Sequence, residues 1–216
     1  MTVVAIDGPA ASGKSSVARR LAKRLGFDYV NSGSMYRAVT WEILRQGANP
    51  DDATSVGEAL QAATIECGIT DSGESFIRVN GITPDAELRE EAVNRHVSAI
   101  SAIPVVRDLI SNRLRVLAEG RPVVMEGRDI GTAVFPTTPY KFYLDASPEI
   151  RRKRRAAQGQ ADEIEARDRI DSSRRAAPLA KARNAHVVDT SHLTLDGVVD
   201  AILEILESAG IGPVAK

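Results

Sequence analysis

Val3-Val4-Ala5-Ile6 runs almost directly into Gly8-Pro9-Ala10-Ala11-Ser12-Gly13-Lys14-Ser15, after which Val17, Leu21 and Leu25 recur at four-residue spacing with Ala18 and Ala22 beside them. A short apolar run, a glycine-bounded loop and an amphipathic pattern predict a strand, a tight loop and a helix. Two glycines let backbone wrap an anion, and amides at a helix start point towards it with the positive end of the helix dipole. Lys14 adds a mobile point charge. Ser15 puts a hydroxyl where Mg²⁺ bridges the outer phosphates of a nucleoside triphosphate. The stretch therefore predicts a phosphate-binding loop, here of the ATP-binding kind, and with it a P-loop α/β architecture.

The pattern then repeats. Arg19, Arg20, Lys23 and Arg24 occupy the polar face of the first helix, which Gly26 closes. Phe27–Val30 reads as a second strand, Asn31-Ser32-Gly33-Ser34 as loop and cap, and residues 35–46 as a second helix ended by Gly47. Alternating strands and helices imply a three-layer α/β/α fold around a central parallel sheet, whose ligands collect at the carboxyl ends of the strands. From about Ala62 the signal changes: 64–69, 75–79 and 82–83 read as short strands joined by Asp71-Ser72-Gly73-Glu74 and by the hairpin dipeptide Asn80-Gly81. They predict a small antiparallel insertion, placed at 62–103. Helices are expected over 87–97 and 105–119, strands over 122–125, 140–144 and 185–189, and a final helix over 194–208.

The whole chain sets further bounds. Its 216 residues suffice for one core with an insertion, and 43% hydrophobic with 26% charged residues argues against disorder. No apolar run approaches the ~18 residues that span a bilayer, and a strand beginning at Val3 leaves no room for a signal peptide. A cytoplasmic protein without membrane contact is expected. Cys67, the single cysteine, excludes an intrachain disulfide and reads as small filler. His96, His186 and His192 have no metal-ligand spacing, and Trp41 reads as partial core. Without a sustained heptad or a long apolar stripe, a monomer is expected. Net charge is −1, yet residues 150–183 hold eleven Lys and Arg against five Asp and Glu. That segment is suited to anions.

A triphosphate loop does not fix the reaction. No Asn-Lys-x-Asp sequence is present to read guanine, which disfavours a GTPase switch. Arg37, Arg128, Arg167 and Arg174 lie at predicted strand ends and in the basic segment, and the planar fork of arginine suits phosphate oxygens. Several on separate loops suggest a second phosphorylated ligand. Glu126, ending the 122–125 strand, offers a carboxylate to a magnesium-bound water; simple pairing with neighbouring arginines is the alternative. Tyr36-Arg37 falls in the first turn of the predicted second helix, where amides favour anions. The run Arg151-Arg152-Lys153-Arg154-Arg155 admits a lid over phosphates, a solvated face or nucleic-acid contact. It follows a strand end and has no interleaved aromatic residues to stack bases, so a lid is preferred and no nucleic acid is expected.

Taken together, Ile6-Asp7-Gly8-Pro9, Ser32-Gly33-Ser34-Met35-Tyr36-Arg37, Glu126-Gly127-Arg128-Asp129-Ile130-Gly131-Thr132, Lys141-Phe142-Tyr143-Leu144-Asp145-Ala146-Ser147, Arg167-Asp168 and Asp171-Ser172-Ser173-Arg174 closely resemble the bacterial cytidylate kinases over almost the full chain. The resemblance implies a single nucleoside monophosphate kinase domain, 1–216, with a monophosphate-binding insertion and an Arg-rich lid at 150–175. It implies transfer of the γ-phosphoryl group of ATP, with Mg²⁺, to CMP or dCMP. ATP would be held by Gly8, Pro9, Ala10, Ala11, Ser12, Gly13, Lys14, Ser15, Ser16 and Arg154. Ser98, Arg107 and Asp129 would read cytosine, Arg37, Arg128, Arg167 and Arg174 would hold the monophosphate, and Asp171 with Arg167 would bond the sugar hydroxyls. Ser32, Tyr36 and Gly127 complete the acceptor set implied by the same motifs, and Lys14, Arg128, Arg167 and Arg174 the catalytic set. Ser15, with Glu126 through water, would hold the metal. Two departures stand out: Glu126 replaces an Asp frequent in that family, and the segment between Arg155 and Arg167 is short. Two other readings remain, a kinase for a different acceptor and a protein switched by ATP without transferring its phosphate.

Overall fold

The computed structural model describes residues 1–157 and 164–214; the remaining residues, and the side chains of Ile164 and Arg167, lie outside the described residues. The chain divides into two compact units, one formed by Met1–Val30 with Ala118–Lys216 and the other by Asn31–Leu117. The predicted 62–103 insertion falls inside the second.

In the first unit the sheet is built from β1 (Val3–Asp7), β2 (Asp28–Asn31), β5 (Val123–Gly127), β6 (Lys141–Asp145) and β7 (His186–Asp189), in the order β2-β5-β1-β6-β7. β1 pairs in parallel with both β5 and β6, Ala5 standing opposite Met125 and Lys141. All five residues of β1 and of β5 are buried, as strands covered on both faces must be. This is the three-layer P-loop α/β arrangement. Val17, Leu21 and Leu25 of α1 (Lys14–Leu25) meet Val198, Val199, Ile202 and Leu206 of α8 (Leu195–Ser208) over Val124, Phe142 and Leu144 of the sheet. The polar face of α1 supplies Arg20 and Arg24, which pair with Asp196 and Asp200 of α8. Both pairs are solvent-exposed and add little beyond register. α6 (Pro148–Ala157) and α7 (Ile164–Ser173) carry the basic segment.

The second unit contains α2 (Ser32–Arg45), α3 (Ala53–Ala62), the hairpin of β3 (Ile65–Ile69) and β4 (Ser75–Val79), α4 (Glu91–Ile100) and α5 (Pro104–Leu117). Its core takes Val39 and Ile43 from α2, Ile77 and Val79 from β4, Val97 and Ile100 from α4, and Ile110 and Leu114 from α5. Glu42 is a buried node: its Oε1 accepts from Asn80 Nδ2 (2.8 Å) and Gln46 Nε2 (2.8 Å), and its Oε2 from Arg45 Nε (2.9 Å).

Several expectations shift. The helix α3 is not foreseen. The predicted strand at 82–83 is only a bridge, Ile82 to Val79 across the Asn80-Gly81 turn, because Pro84 supplies no amide to continue pairing. Asn80 and Gly81 take φ of 48° and 78°, the conformation such a hairpin turn demands. The 87–97 helix is a short 3₁₀ turn over Ala86–Arg89 followed by α4, with Glu90 extended between them (ψ 148°). α2 begins at Ser32 rather than Met35, since the Asn31 side chain accepts from Ser34 N and already caps the helix. Among the described residues no helix is long and apolar enough to cross a membrane.

Candidate active site

The loop after β1 is shaped by what has no room for a side chain. A Cβ on Gly8 (φ 152°) would stand 2.1 Å from the Leu144 carbonyl oxygen. Gly13 occupies the N-cap of α1 in the left-handed region, and no side chain caps the helix there. The first turn of α1 thus has no side-chain cap, an arrangement that suits an anion. Lys14 Nζ donates to Pro9 O (2.6 Å), and burial together with the Arg128 charge lowers its pKa to about 8. Thr190, fully buried, donates through Oγ1 to Ser12 O (2.9 Å) and accepts from Arg154 Nη1 (2.9 Å). Beside them lies a cavity of about 460 Å³ lined by Ala11, Gly13, Ser16, Arg154, Thr190 and Leu193. Ser15 and Ser16 are exposed on the loop side of α1.

Strand ends bring carboxylates to the same loop. Asp7 closes β1, and its two oxygens accept from Ile130 N (2.8 Å) and Gly131 N (2.7 Å). Desolvation raises its pKa from 3.8 to about 7 in spite of those two donors. The bonds pin a π-helical turn, Ile130–Val134, whose N-cap is the buried Asp129. Asp7 had no role in the sequence reading. Glu126, one residue before the end of β5, is buried and accepts from Tyr29 Oη (2.8 Å), while the Arg19 guanidinium covers the Tyr29 ring at 4.7 Å.

Gly127 ends β5, and the next residue, Arg128, is held by α7. Its Nη1 donates to Asp168 Oδ1 (2.7 Å) and Gly8 O (3.3 Å), and its Nε pairs with Asp171 Oδ2 (3.1 Å). Asp171 also accepts from Arg174. Arg151 pairs with Asp168 and donates to Ala10 O (3.1 Å), whereas Arg152 pairs with Glu165 at the surface. The basic run is therefore not uniform: Arg151 is buried at 8% exposure, and Arg154 turns to Thr190. Arg128, Arg151, Asp168, Asp171 and Arg174 come together against the loop; the side chain of Arg167 lies outside the described residues. Asp168, in the middle of this cluster, had no assigned role from sequence.

The other predicted residues sit in the second unit. Ser32 and Ser98 are buried, Arg107 donates to Ser101 O (3.1 Å), and its guanidinium lies 5.6 Å from the centre of the Tyr36 ring. Arg37 Nη1 donates to Leu88 O (2.7 Å) and Asn94 Oδ1 (2.8 Å). Because α2 starts at Ser32, Tyr36 and Arg37 lie in its second turn, and the helix-terminus argument made for them does not apply; Arg37 is placed by acceptors on other elements. Cys67 is half-buried, and its thiol is pushed up to about 11 by burial, consistent with filler.

Ser15 and Glu126 offer a hydroxyl and a carboxylate, the hard oxygen donors Mg²⁺ takes while keeping water and phosphate in its remaining positions. Among the described residues no cluster of three or more His, Cys, Asp or Glu could cage an ion. The donor set fits a metal that arrives with the triphosphate.

The family model for cytidylate kinase matches residues 4–208. A cytidylate kinase of Nocardia farcinica is 43% identical, the alignment covering 94% of this chain and 93% of that one. A cytidylate kinase of Geobacillus kaustophilus is 42% identical, over 94% and 95%. In fold alone, the chain is also similar to the crystal structure of an uncharacterized protein from Eubacterium ventriosum, at 12% identity and a TM-score of 0.50, over 96% of this chain and 99% of that one. A full-length match at this identity, on a phosphate loop ringed by arginines, means that the chain belongs to the cytidylate kinase family.

Proposed function

We propose that the chain transfers the γ-phosphoryl group of ATP directly, in line, to the phosphate oxygen of CMP or dCMP, releasing ADP and CDP or dCDP. The observation that carries this reading is the family match over residues 4–208, supported by the uncapped first turn of α1 and the Arg128 cluster beside the loop. Phosphoryl transfer needs no covalent partner from the protein, only positioning and charge stabilisation. The amides from Gly8 to Ser16 and Lys14 hold the donor phosphates, and the cavity beside Arg154 takes the rest of the nucleotide. Lys14 and Arg128, joined by Arg167 and Arg174, neutralise charge on the phosphoryl group in flight and act as the catalytic set. Mg²⁺, when bound through Ser15 and a water on Glu126, neutralises charge on the phosphates.

For the acceptor, Gly127, Arg128, Arg167, Asp171 and Arg174 of the first unit hold phosphate and sugar, and Asp129 accepts from the exocyclic amine that uracil lacks. In the second unit Ser32, Tyr36 and Arg37 contact the acceptor, and Ser98 and Arg107 read its base. The lid of residues 150–175 excludes water so that ATP is spared hydrolysis. The enzyme works as a cytoplasmic monomer. The test is ADP production with ATP and Mg²⁺ in the presence of CMP, dCMP, UMP, AMP or no acceptor. Turnover confined to CMP and dCMP supports the reading; turnover with another acceptor overturns the base assignment, and none with any acceptor overturns the reaction. Asp129→Asn should lose the preference for CMP over UMP while keeping ATP binding.

A further inference from the structure

Asp168 bonds at once to the phosphate loop, to Arg128 and to Arg151. We infer that Asp168 is a positioning residue of phosphoryl transfer, fixing Arg128 and Arg151 against the phosphate loop. This rests on the reading of the loop and its arginines as the transfer site. Asp168 lies mid-way along α7 with its side chain 13% exposed. Oδ1 accepts from Ala10 N (3.0 Å) and from Arg128 Nη1 (2.7 Å), and Oδ2 from Arg151 Nη1. Arg151 Nη1 in turn donates to Ala10 O (3.1 Å). Residue 10 of the loop is thus held at both its N–H and its C=O by one acid and the arginine that acid carries.

Two guanidinium groups in a poorly solvated cluster repel each other, and the carboxylate between them cancels that repulsion. Burial works against the ionised acid, but the Arg128 charge, the Ala10 amide and Arg151 outweigh it and hold the carboxyl below the usual range. Asp171, one turn on, takes the Nε of the same Arg128. Two carboxylates on one helix therefore set both the position and the plane of the arginine aimed at phosphate. Without Asp168, Arg128 keeps Asp171 and Gly8 O, and among the described residues Arg151 keeps Ala10 O. A group that stabilises charge in flight loses effect steeply when displaced, about 10²-fold per ångström.

The experiment compares Asp168→Asn, Asp168→Glu, Arg151→Gln and the double variant Asp168→Asn/Arg151→Gln in the full chain. It measures kcat and KM, ATP affinity by calorimetry without acceptor, and Tm. Asp168→Asn should lower kcat about 10- to 100-fold, more than it raises either KM, and weaken ATP binding about 3- to 10-fold. Asp168→Glu, which keeps the charge, should recover part of kcat, and it carries the test if the Asn variant does not fold. The double variant should be no worse than the poorer single one, since both act on one contact. The proposal is overturned if kcat and ATP affinity stay within about twofold of the parent while Tm falls, if the two single losses multiply, or if Asp168→Asn tightens ATP binding, which would make the carboxylate a competitor of phosphate. A parent protein that binds ATP yet leaves CMP unphosphorylated refutes the reaction, and the calorimetric comparison still decides the role of Asp168.

Discussion

Replacing Asp7 with Asn should abolish a pH dependence that this one buried carboxyl imposes on folding. Asp7 is 5% exposed, and desolvation lifts its pKa from 3.8 to about 7, assisted by the Asp129 charge and opposed by the amides of Gly131 and Ile130 and by Lys14. Because the folded-state value is the higher one, the folded protein keeps a proton that the unfolded chain has released between about pH 4 and pH 7. The stabilisation is complete below pH 3.8 and is lost as pH rises through about 7. With those two values the contribution is about 3 kcal/mol at pH 5 and well under 1 kcal/mol at pH 7.5, a fall of about 2–3 kcal/mol. Asn keeps the shape and does not titrate, but turns a donor towards one of the two amides, at a cost of about 1–3 kcal/mol. Urea unfolding of parent and Asp7→Asn across pH 5–7.5 reads the difference, in which every shared titration cancels. The stability advantage of the parent should shrink by about 2–3 kcal/mol over that range. A difference that is flat, or that grows with pH, refutes the reasoning and means that the two amides keep Asp7 ionised.

Gly8→Ala forces a Cβ to within 2.1 Å of Leu144 O, so it should cost at least ~3 kcal/mol in denaturant unfolding and abolish ATP binding. Thr190→Val removes the donor to Ser12 O and one of the two acceptors Thr190 offers Arg154; about 1–3 kcal/mol of stability and a several-fold rise in KM for ATP should follow, with Thr190→Ser close to the parent. Glu42→Gln should lower stability by about 2–3 kcal/mol, because Arg45, Gln46 and Asn80 all donate to that buried carboxylate; unchanged urea unfolding would remove Glu42 as the node of the second unit.

What was readable in the sequence was local. The loop from Gly8 to Ser15, the four-residue spacing of Val17, Leu21 and Leu25, and the Asn80-Gly81 turn each announce themselves within a few residues, and the structure agrees. α3 escaped because only Val56, Ala59 and Leu60 are buried and Gly57 interrupts it, although Asp52 caps it through Thr54 N. The start of α2 was misplaced because Ser32, Gly33 and Ser34 are weak helix formers; the Asn31 cap and the burial of Ser32 override that weakness. Asp7, Asp168 and Thr190 were missed for another reason. The contacts that tie them to the loop and its neighbours run to Ile130, Ala10 and Ser12, more than a hundred residues away in each case, and no spacing rule reaches so far. Arg151 shows the same limit, since nothing in a run of five basic residues says which one turns inward.

The strand order β2-β5-β1-β6-β7 has a consequence for synthesis. When β1, α1 and β2 leave the ribosome, neither strand has a neighbour to pair with, because the strand that sits between them is Val123–Gly127. The stretch made in the interval, Asn31–Leu117, is one unbroken segment with its own hairpin and its own buried core. Its contacts are closed early, whereas the phosphate loop must wait for residues 126–131 and then for α7 before its partners exist. The nascent chain therefore carries β1, apolar from Val3 to Ile6, without a paired strand until Val123–Gly127 has been made.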